Sequence, residues 1–145
     1  MTQPVATAAQ IQAAAQLAAL LWPGHTGPEL AAEFSQLLAQ GNAQLFLCNE
    51  GGIPIGFAQC QLRRDYVEGT SSSPVGYLEG IFVKEGFRRR GHARALLAAC
   101  EAWAKRMGCR EFASDCLLEN EDSLRFHTAV RFRQVNRIIC FAKKL

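Results

Sequence analysis

Lysine and arginine are absent from the first 62 residues of this 145-residue chain, and the sequence has no long apolar run. A helix that crosses a bilayer needs about 20 apolar residues, so no segment is expected to lie in a membrane. A secretory signal starts with a basic segment, which the alanine-rich N-terminal region lacks. We therefore expect a cytoplasmic protein that folds as a single domain and has no membrane partner.

Pairs of the form C-x-x-C are also missing, although the chain contains six cysteines. Such pairs supply the ligands of many zinc sites, so their absence argues against a bound metal. Most of the cysteines lie within apolar runs, which favours buried free thiols in a reducing compartment. The six are Cys48, Cys60, Cys100, Cys109, Cys116 and Cys140.

Positive charge is concentrated in the second part of the chain. Residues 1–62 contain three acids and no base, whereas residues 63–145 contain 16 bases and 10 acids. The bases cluster at one loop and are not interleaved with aromatic residues, which suits a ligand with several phosphates better than a nucleic acid. We therefore expect no nucleic-acid partner.

Hydrophobic spacing predicts an α/β chain with the element order β-α-α-β-β-β-α-β-α-β. Thr7 is expected to cap the first helix, Gly41 to end the second and Gly108 to end the third. This order predicts a mixed, mostly antiparallel central sheet with helices on both faces. The strands are expected at residues 2–6, 43–49, 53–64, 76–83, 111–114 and 134–142, and the two later helices at 92–107 and 121–130.

The stretch at residues 76–98, GYLEGIFVKEGFRRRGHARALLA, joins an apolar strand to an amphipathic helix through a loop of glycine and arginine. Free backbone N–H groups at a helix N-terminus bind phosphate-bearing anions. The spacing Arg88-x-x-Gly91-x-Ala93 places small residues where a pyrophosphate approaches the main chain. The stretch has neither G-K-[ST] nor G-x-G-x-x-G, so it is neither a Walker loop nor a dinucleotide loop.

This spacing resembles the acetyl-CoA pyrophosphate loop of the GNAT acyltransferase superfamily, [Q/R]-x-x-G-x-[G/A]. Three blocks resemble a narrower group, the bacterial aminoglycoside 6'-N-acetyltransferases: LWPGH at 21–25, DYVEGTSSSPVGYLEGIFV at 65–83 and CREFASD at 109–115. The resemblance implies the GNAT fold, acetyl-CoA as cosubstrate and a homodimer that shares C-terminal strands. It also implies acetylation of the 6'-amino group of antibiotics such as tobramycin or kanamycin, which confers resistance.

The resemblance places acetyl-CoA at the end of the strand at 76–83 and at the loop that follows. Main-chain groups of the strand are expected to bond the pantetheine arm and to polarise the thioester carbonyl. The loop amides are expected to hold the pyrophosphate, with arginine side chains adding positive charge. The expected cofactor contacts are Ile81, Phe82, Val83, Arg88, Arg89, Arg90, Gly91, His92, Ala93, Arg94, Asn120 and His127.

Two carboxylates are candidates for accepting the proton of the substrate ammonium. Glu79 lies mid-strand, on one face with Tyr77 and Ile81 by the period-two rule, and is either a structural ion-pair partner or an ammonium ligand. Asp115 follows a short strand at the carboxyl end of the sheet, where α/β folds bind ligands, and is otherwise a turn or capping residue. The resemblance favours both as substrate ligands and candidate bases.

Other positions gain roles through the resemblance. Tyr66, in the polar loop, is expected to contact the sugar rings. Trp22 and His25 are expected to form the opposite wall of the cleft, although a tryptophan there also suits a core anchor. Asn120 caps a helix by its position and, by resemblance, reaches cofactor and substrate. His127 is either packed within its helix or protonates the CoA thiolate as it leaves.

The chain departs from the family pattern near its end. Arg131-Phe132 stands where Gly-Phe is usual, which removes the easy left-handed helix end. Asn136, at a substrate-binding position, stands where close relatives have glutamate, and Arg133 lies nearby. Because aminoglycosides are polycations, these changes are expected to weaken substrate affinity unless other acids compensate, and to leave the fold intact.

The expected reaction is direct attack of the neutral amine on acetyl-CoA in a ternary complex, without a covalent acyl-enzyme. One alternative keeps the catalyst and changes the acceptor to a polyamine, a peptide N-terminus or a lysine. Two others are a CoA-binding module without catalysis and a nucleic-acid binder that uses residues 88–90. Assays of acetyl-CoA binding and of transfer to a panel of amines separate these interpretations.

Overall fold

A five-stranded mixed sheet forms the centre of the computed structural model, which describes residues 1–145. The strands follow one another in chain order across the sheet, antiparallel from β1 to β4, and β5 lies parallel to β4. The expectation of a mixed, mostly antiparallel sheet is therefore confirmed. The strands are β1 (Thr2–Pro4), β2 (Ala43–Glu50), β3 (Ile53–Arg63), β4 (Val75–Val83) and β5 (Phe112–Ser114).

Local capping chemistry explains where the first two helices begin. The Thr7 side chain accepts from Gln10 N–H, and the Thr26 side chain accepts from Glu29 N–H, each within a reciprocal capping box. Gly41 ends the second helix at φ 76°, a left-handed conformation that glycine adopts without strain. The helices are α1 (Ala8–Leu21), α2 (Gly27–Gln40), α3 (His92–Arg106) and α4 (Glu121–Ala129).

The helices cover both faces of the sheet, as expected from the element order. On one face, α1 and α2 bury residues such as Leu17 and Phe34 against Phe57 of β3. On the other face, α3 buries Leu96 and Cys100 against the sheet, and α4 packs beside it. None of the helices is both long enough and apolar enough to cross a bilayer.

A bulge in β4 changes which side chains share a face. Gly80 pairs with Gln59 and Leu78 pairs with Cys60, so Glu79 is an extra residue with no partner on β3. Glu79 therefore lies on the same face of the sheet as Tyr77, but Ile81 packs on the opposite face, against the α3 side of the core. The expectation that Glu79 and Ile81 share a face is wrong, because the bulge shifts the alternation by one residue.

Strands β4 and β5 separate after only three residue pairs, the last being Leu78 with Ser114. The remaining part of β4, residues 79–83, has no strand neighbour on that side. A gap therefore opens between the carboxyl ends of the two strands, at the level of Glu79 and Asp115.

The final strand expected at residues 134–142 is not formed. Residues 133–145 have no regular secondary structure and are exposed, with Ile139 81% and Phe141 90% accessible. A strand needs a neighbour to pair its backbone groups, and this segment pairs with none of the five strands of its own chain. The same segment carries Cys140, and Cys116 lies in the loop after β5. Both thiols are exposed, so the expectation of burial holds only for the other four cysteines.

Candidate functional site

A cleft of about 230 Å³ opens on the face of the sheet covered by α1 and α2. It brings together three residues that the sequence pointed to: Trp22, His25 and Glu79. Leu30, Glu33 and Gln59 complete its lining. The cleft therefore combines an aromatic wall with two carboxylates, a combination that suits a cationic ligand with apolar ring faces.

Trp22 both anchors α1 and forms a wall of the cleft. Its ring meets Phe57 edge-on, with centroids 5.9 Å apart. A Cβ at Gly80 would lie 2.6 Å from a carbon of the indole, so the absence of a side chain at Gly80 permits this packing. The two interpretations of Trp22, core anchor and cleft wall, therefore hold at once.

Glu79 is paired with Arg63 of β3. Arg63 Nη2 donates to Glu79 Oε1 at 2.8 Å and to Oε2 at 3.0 Å, and Arg63 Nε donates to Oε1 at 3.1 Å. Desolvation raises the pKa of Glu79, while the hydrogen bonds and charge of Arg63 lower it and the charge of Asp115 raises it. The structural ion pair considered from the sequence is therefore present, at a carboxylate that also lines the cleft.

Asp115 joins the same network from the opposite side of the gap. The Tyr77 hydroxyl donates a hydrogen bond to Asp115 Oδ2, and the Arg63 guanidinium carbon lies 3.5 Å from the centroid of the Tyr77 ring. Burial raises the pKa of Tyr77 well above its ordinary value, and the hydrogen bond to Asp115 raises it further. Asp115 does not line the cleft itself but is connected to Glu79 through Tyr77 and Arg63.

His127 is held on α4 beside the end of β5. Its Nδ1 lies 2.7 Å from the Ser123 carbonyl oxygen, so Nδ1 carries the hydrogen and donates it. In the neutral ring Nε2 then accepts from the Ser114 hydroxyl at 2.8 Å. The ring also packs against Phe132, with centroids 5.1 Å apart. The packed interpretation of His127 is thus supported, and its partner Ser114 is the residue immediately before Asp115 in the chain.

Three other expected site residues lie outside the cleft. Tyr66 is 76% exposed in the loop between β3 and β4. Asn136 donates to Glu68 Oε1 of that loop at 2.8 Å. Asn120 caps α4, with its side-chain oxygen accepting from Ser123 N–H. The structure therefore does not bring Tyr66, Asn120 and Asn136 into contact with Glu79.

The loop before α3 has the backbone of an anion cradle. Arg89 and Gly91 have φ values of 62° and 85°, and no side chain caps the α3 N-terminus. A Cβ at Gly91 would meet no atom within 4 Å, so the surface beside the first turn of α3 is open at this residue. These observations fit a pyrophosphate group, which needs free N–H donors and close approach to the main chain.

The arginine side chains of this loop are largely engaged within the protein. Arg88 Nε donates to the Val83 carbonyl at 2.8 Å, and Arg90 pairs with Glu50 at 3.3 Å. Arg89 makes no such contact. His92, the first residue of α3, lies 3.3 Å from the Cys48 sulfur through Nδ1. The backbone therefore provides the geometry of the cradle, and Arg89 and the exposed Arg94 are the guanidinium groups available to add charge.

The main chain of β4 alternates between the sheet and the gap. Lys84 N–H donates to Ile55 O of β3, whereas the Val83 carbonyl is bonded by the Arg88 side chain. Alternation along a strand therefore directs the main-chain groups of Val83 and Ile81 into the gap and those of Phe82 toward β3. The gap thus has free strand donors and acceptors beside the cradle.

Sequence reasoning missed four residues of the site: Arg63, Tyr77, Glu33 and Gln59. The period-two pattern placed Tyr77 beside Glu79, which was a usable signal. Arg63 reaches Glu79 across the β3–β4 pair, and its register depends on the bulge, which no local pattern reveals. No group of three or more His, Cys, Asp or Glu residues lies close enough together to hold a metal ion.

Comparison with known proteins gives consistent matches. The acetyltransferase (GNAT) family model matches residues 14–132. An aminoglycoside N(6')-acetyltransferase type 1 of Salmonella typhimurium (strain LT2) is 43% identical over 124 residues, which cover 86% of each chain. The enzyme of that name from Stenotrophomonas maltophilia is 43% identical over 141 residues, which cover 97% of this chain and 91% of that protein.

Solved structures agree with the sequence matches. Aminoglycoside N-acetyltransferase AAC(6')-Iy in complex with CoA superposes with a TM-score of 0.95 at 37% identity, covering 100% of this chain and 95% of that one. A second structure of AAC(6')-Iy, in complex with the bisubstrate analogue CoA-S-monomethyl-acetylneamine, gives a TM-score of 0.94 at 37% identity and covers 100% and 98% of the two chains.

Proposed function

As a member of the acetyltransferase (GNAT) family and of its aminoglycoside 6'-N-acetyltransferases, this chain is an acetyl-CoA-dependent transferase, and we propose that it acetylates the 6'-amino group of aminoglycoside antibiotics and so confers resistance. Its GNAT fold matches the solved structures along the whole chain. The expectations of family, fold and enzyme class are thereby confirmed.

One structural observation carries the proposal: the acidic cleft and the anion cradle are built on the same strand. Glu79 of β4 lines the cleft, and four residues later the strand ends in the loop that forms the cradle. A cationic amine held at Glu79 and a CoA held by the cradle would both face the gap between β4 and β5. The arrangement supports transfer between two ligands bound together.

Proton removal is the first task of the site, because an ammonium group is not a nucleophile. Glu79 and Asp115 are the proposed acceptors, directly or through water. The raised pKa of Glu79 strengthens it as a base while Arg63 keeps it ionised. Binding both reactants in one ternary complex supplies the orientation that a direct attack requires.

The gap supplies the second task, which is to orient the thioester. Acetyl-CoA, when bound, provides the acetyl group and a thiol that leaves readily. The main-chain groups of Ile81 and Val83 are proposed to bond it, and the N–H of Val83 to polarise its carbonyl. The amides of residues 89–94 and the side chain of Arg89 are proposed to hold its phosphates. His127 is proposed to assist thiol release by giving a proton from Nε2 when the ring is protonated, with Ser114 as the hydrogen-bond partner of that nitrogen.

Further substrate contacts are proposed from the positions of exposed polar groups. Trp22, His25 and Tyr66 would contact the sugar rings, and Asn120 and Asn136 would bond polar groups of the two ligands. Asn136 is already bonded to Glu68, so its contribution would involve that acid. We place the reaction in the cytoplasm because acetyl-CoA is held there.

We also propose that the enzyme is a homodimer whose C-terminal segments pair between protomers. Residues 134–142 have the composition of a strand but find no neighbour within their own chain, and their apolar side chains are exposed. Pairing with the same region of a second copy would satisfy the backbone and bury Ile139 and Phe141.

Mass spectrometry and NMR of tobramycin incubated with the enzyme and acetyl-CoA test the proposal. We expect one added acetyl group, located on the 6' nitrogen. A panel with a polyamine, a lysine peptide and a free peptide N-terminus runs in parallel. Selective turnover of one of these amines, or binding of acetyl-CoA without transfer to any amine, would contradict the aminoglycoside assignment.

A further inference from the structure

We propose that Arg63 and Tyr77 are positioning residues that hold Glu79 and Asp115 in one bonded array facing the aminoglycoside. The inference rests on the proposed acetylation and names the groups that orient its acidic centre. Arg63 and Tyr77 each act through the carboxylate that they bond. The array runs from Glu79 through the Arg63 guanidinium and the Tyr77 phenol to Asp115.

The hydrogen-bond capacity of Glu79 is mostly used by Arg63. A carboxylate oxygen accepts about two hydrogen bonds. Arg63 donates two to Oε1 and one to Oε2. One lone pair of Glu79 therefore remains, on Oε2, and the bidentate guanidinium determines where it points. A substrate ammonium would bond to that lone pair.

Tyr77 is held in a fixed position beside Asp115. Tyr77 is only 7% exposed, and its ring lies under the Arg63 guanidinium, so the packed ring holds the hydroxyl oxygen in place beside Asp115. Because the pKa of Tyr77 is raised, the hydroxyl keeps its proton and remains a donor throughout the pH range of an enzyme assay. Tyr77 thereby uses one acceptor position of Asp115 Oδ2 and leaves Oδ1 free.

Several charged or titratable groups surround Glu79 in the array. Arg63 is the cation bonded to Glu79, and Asp115 lies on the far side of Tyr77. Glu33 of α2 and His25 of the α1–α2 turn face the same cleft. Desolvation and repulsion from Asp115 both raise the pKa of Glu79, and Arg63 lowers it. Without Arg63, nothing would counteract these two effects. Arg63 therefore keeps Glu79 ionised and ready to accept a proton.

Tyr77→Phe tests the phenol, because it removes the hydroxyl and keeps the ring. We expect kcat/KM for tobramycin to fall about tenfold, as for loss of a hydrogen bond to a charged group, with the KM for acetyl-CoA unchanged. In the Asp115→Asn background the same change should have no further effect. The role of Tyr77 would be overturned if the effects of Tyr77→Phe and Asp115→Asn on kcat/KM were additive. It would also be overturned if kcat/KM for acetyl-CoA fell through a rise in its KM as large as the loss for tobramycin.

Arg63→Met tests the guanidinium through the pH profile. Removing the cation raises the pKa of Glu79, so the acid limb of kcat/KM for tobramycin should move to higher pH. Arg64→Met is the matched control, because the Arg64 guanidinium bonds Asn42 outside the cleft and should leave the limb in place. The role of Arg63 would be overturned if the acid limb of the Arg63→Met profile lay at the same pH as that of the wild type.

Wild-type enzyme assayed alongside separates this inference from the proposed function. Failure of wild type to acetylate tobramycin while it binds acetyl-CoA overturns both. Acetylation by wild type, with variants that behave identically to it, overturns only the positioning array. Thermal unfolding of each variant is recorded, and if Tyr77→Phe does not fold, the pH profile of Arg63→Met decides the question.

Discussion

At the scale of single residues, the acidic centre depends on one irregular position. Glu79 is the extra residue of a bulge, so it points into the cleft beside Gly80, whose missing side chain admits Trp22. Its place in the candidate site was predictable from the sequence. Its partner Arg63 and its true neighbours were not, because they depend on strand register, which arises only when β3 and β4 pair.

Glu79→Gln is expected to lower kcat for tobramycin by about 10²-fold, the lower end of what a general base contributes. The amide cannot accept the ammonium proton. Isothermal titration calorimetry should show an unchanged Kd for acetyl-CoA, because Glu79 is not part of the cradle. Glu101→Gln, at a half-buried position on α3, is the control and should retain wild-type turnover.

The pH dependence of wild type follows from the direction of the Glu79 shift. A base is active only when deprotonated, and burial raises the pKa of Glu79 above its ordinary value of about 4.3. Activity should therefore be lost as pH falls through a value above that of a free glutamate. A kcat/KM profile that stays flat below the ordinary glutamate pKa would rule out Glu79 as the base.

At the scale of elements, helix ends were predictable and the last strand was not. Thr7, Gly41 and Gly108 act within a few residues of themselves, so their sequence context suffices to locate helix boundaries. Residues 134–142 have the composition of a strand but lack a partner within the chain. A strand is stabilised by hydrogen bonds to a neighbouring strand, so composition alone predicts a strand here that the chain does not form.

The end of α4 stores strain that a single change should relieve. Phe132 N–H donates to His127 O and Arg131 N–H to Thr128 O, which is the Schellman pattern. Arg131 occupies its left-handed position at φ 72°. Arg131→Gly should raise stability by about 1 kcal/mol, or about 2–4 °C in Tm. Calorimetry should show no such gain for Arg133→Gly, where φ is not positive.

The start of α3 tests the cradle. Gly91→Val should raise the Kd for acetyl-CoA at least about tenfold, because its side chain would occupy the open surface beside the first turn of α3. Gly108→Val is the control: Gly108 has a φ of 91° and equally open surroundings at the other end of α3. Both variants should lose similar stability, about 1–2 kcal/mol, but only Gly91→Val should lose affinity. If the two variants had the same Kd for acetyl-CoA, the proposal that this loop binds the pyrophosphate would be wrong.

At the scale of the whole molecule, charge and exposure are unevenly distributed. The residues without bases, 1–62, include α1 and α2, which cover the side of the sheet where the cationic substrate is proposed to bind. The basic part supplies the cradle. The exposed C-terminal segment is the other asymmetry, and it contains Asn136, so the proposed dimer would also affect this proposed substrate contact.

Ile139→Asp is expected to convert a dimer to a monomer, because it places a charge in the proposed strand pairing between protomers. Light scattering coupled to size-exclusion chromatography measures the mass directly. Leu20→Asp makes the same change at an exposed position of α1, 60% accessible, and should leave the dimer intact. A monomeric wild type, or a dimeric Ile139→Asp, would refute the pairing.

A crystal structure with CoA and tobramycin bound together tests the central claim most directly. We expect the 6' nitrogen to lie at the gap between β4 and β5, within hydrogen-bond distance of Glu79 or of a water bonded to it, and to face the CoA sulfur. Discovery of the two ligands at separate surfaces, with the nitrogen directed away from the sulfur, would contradict the account.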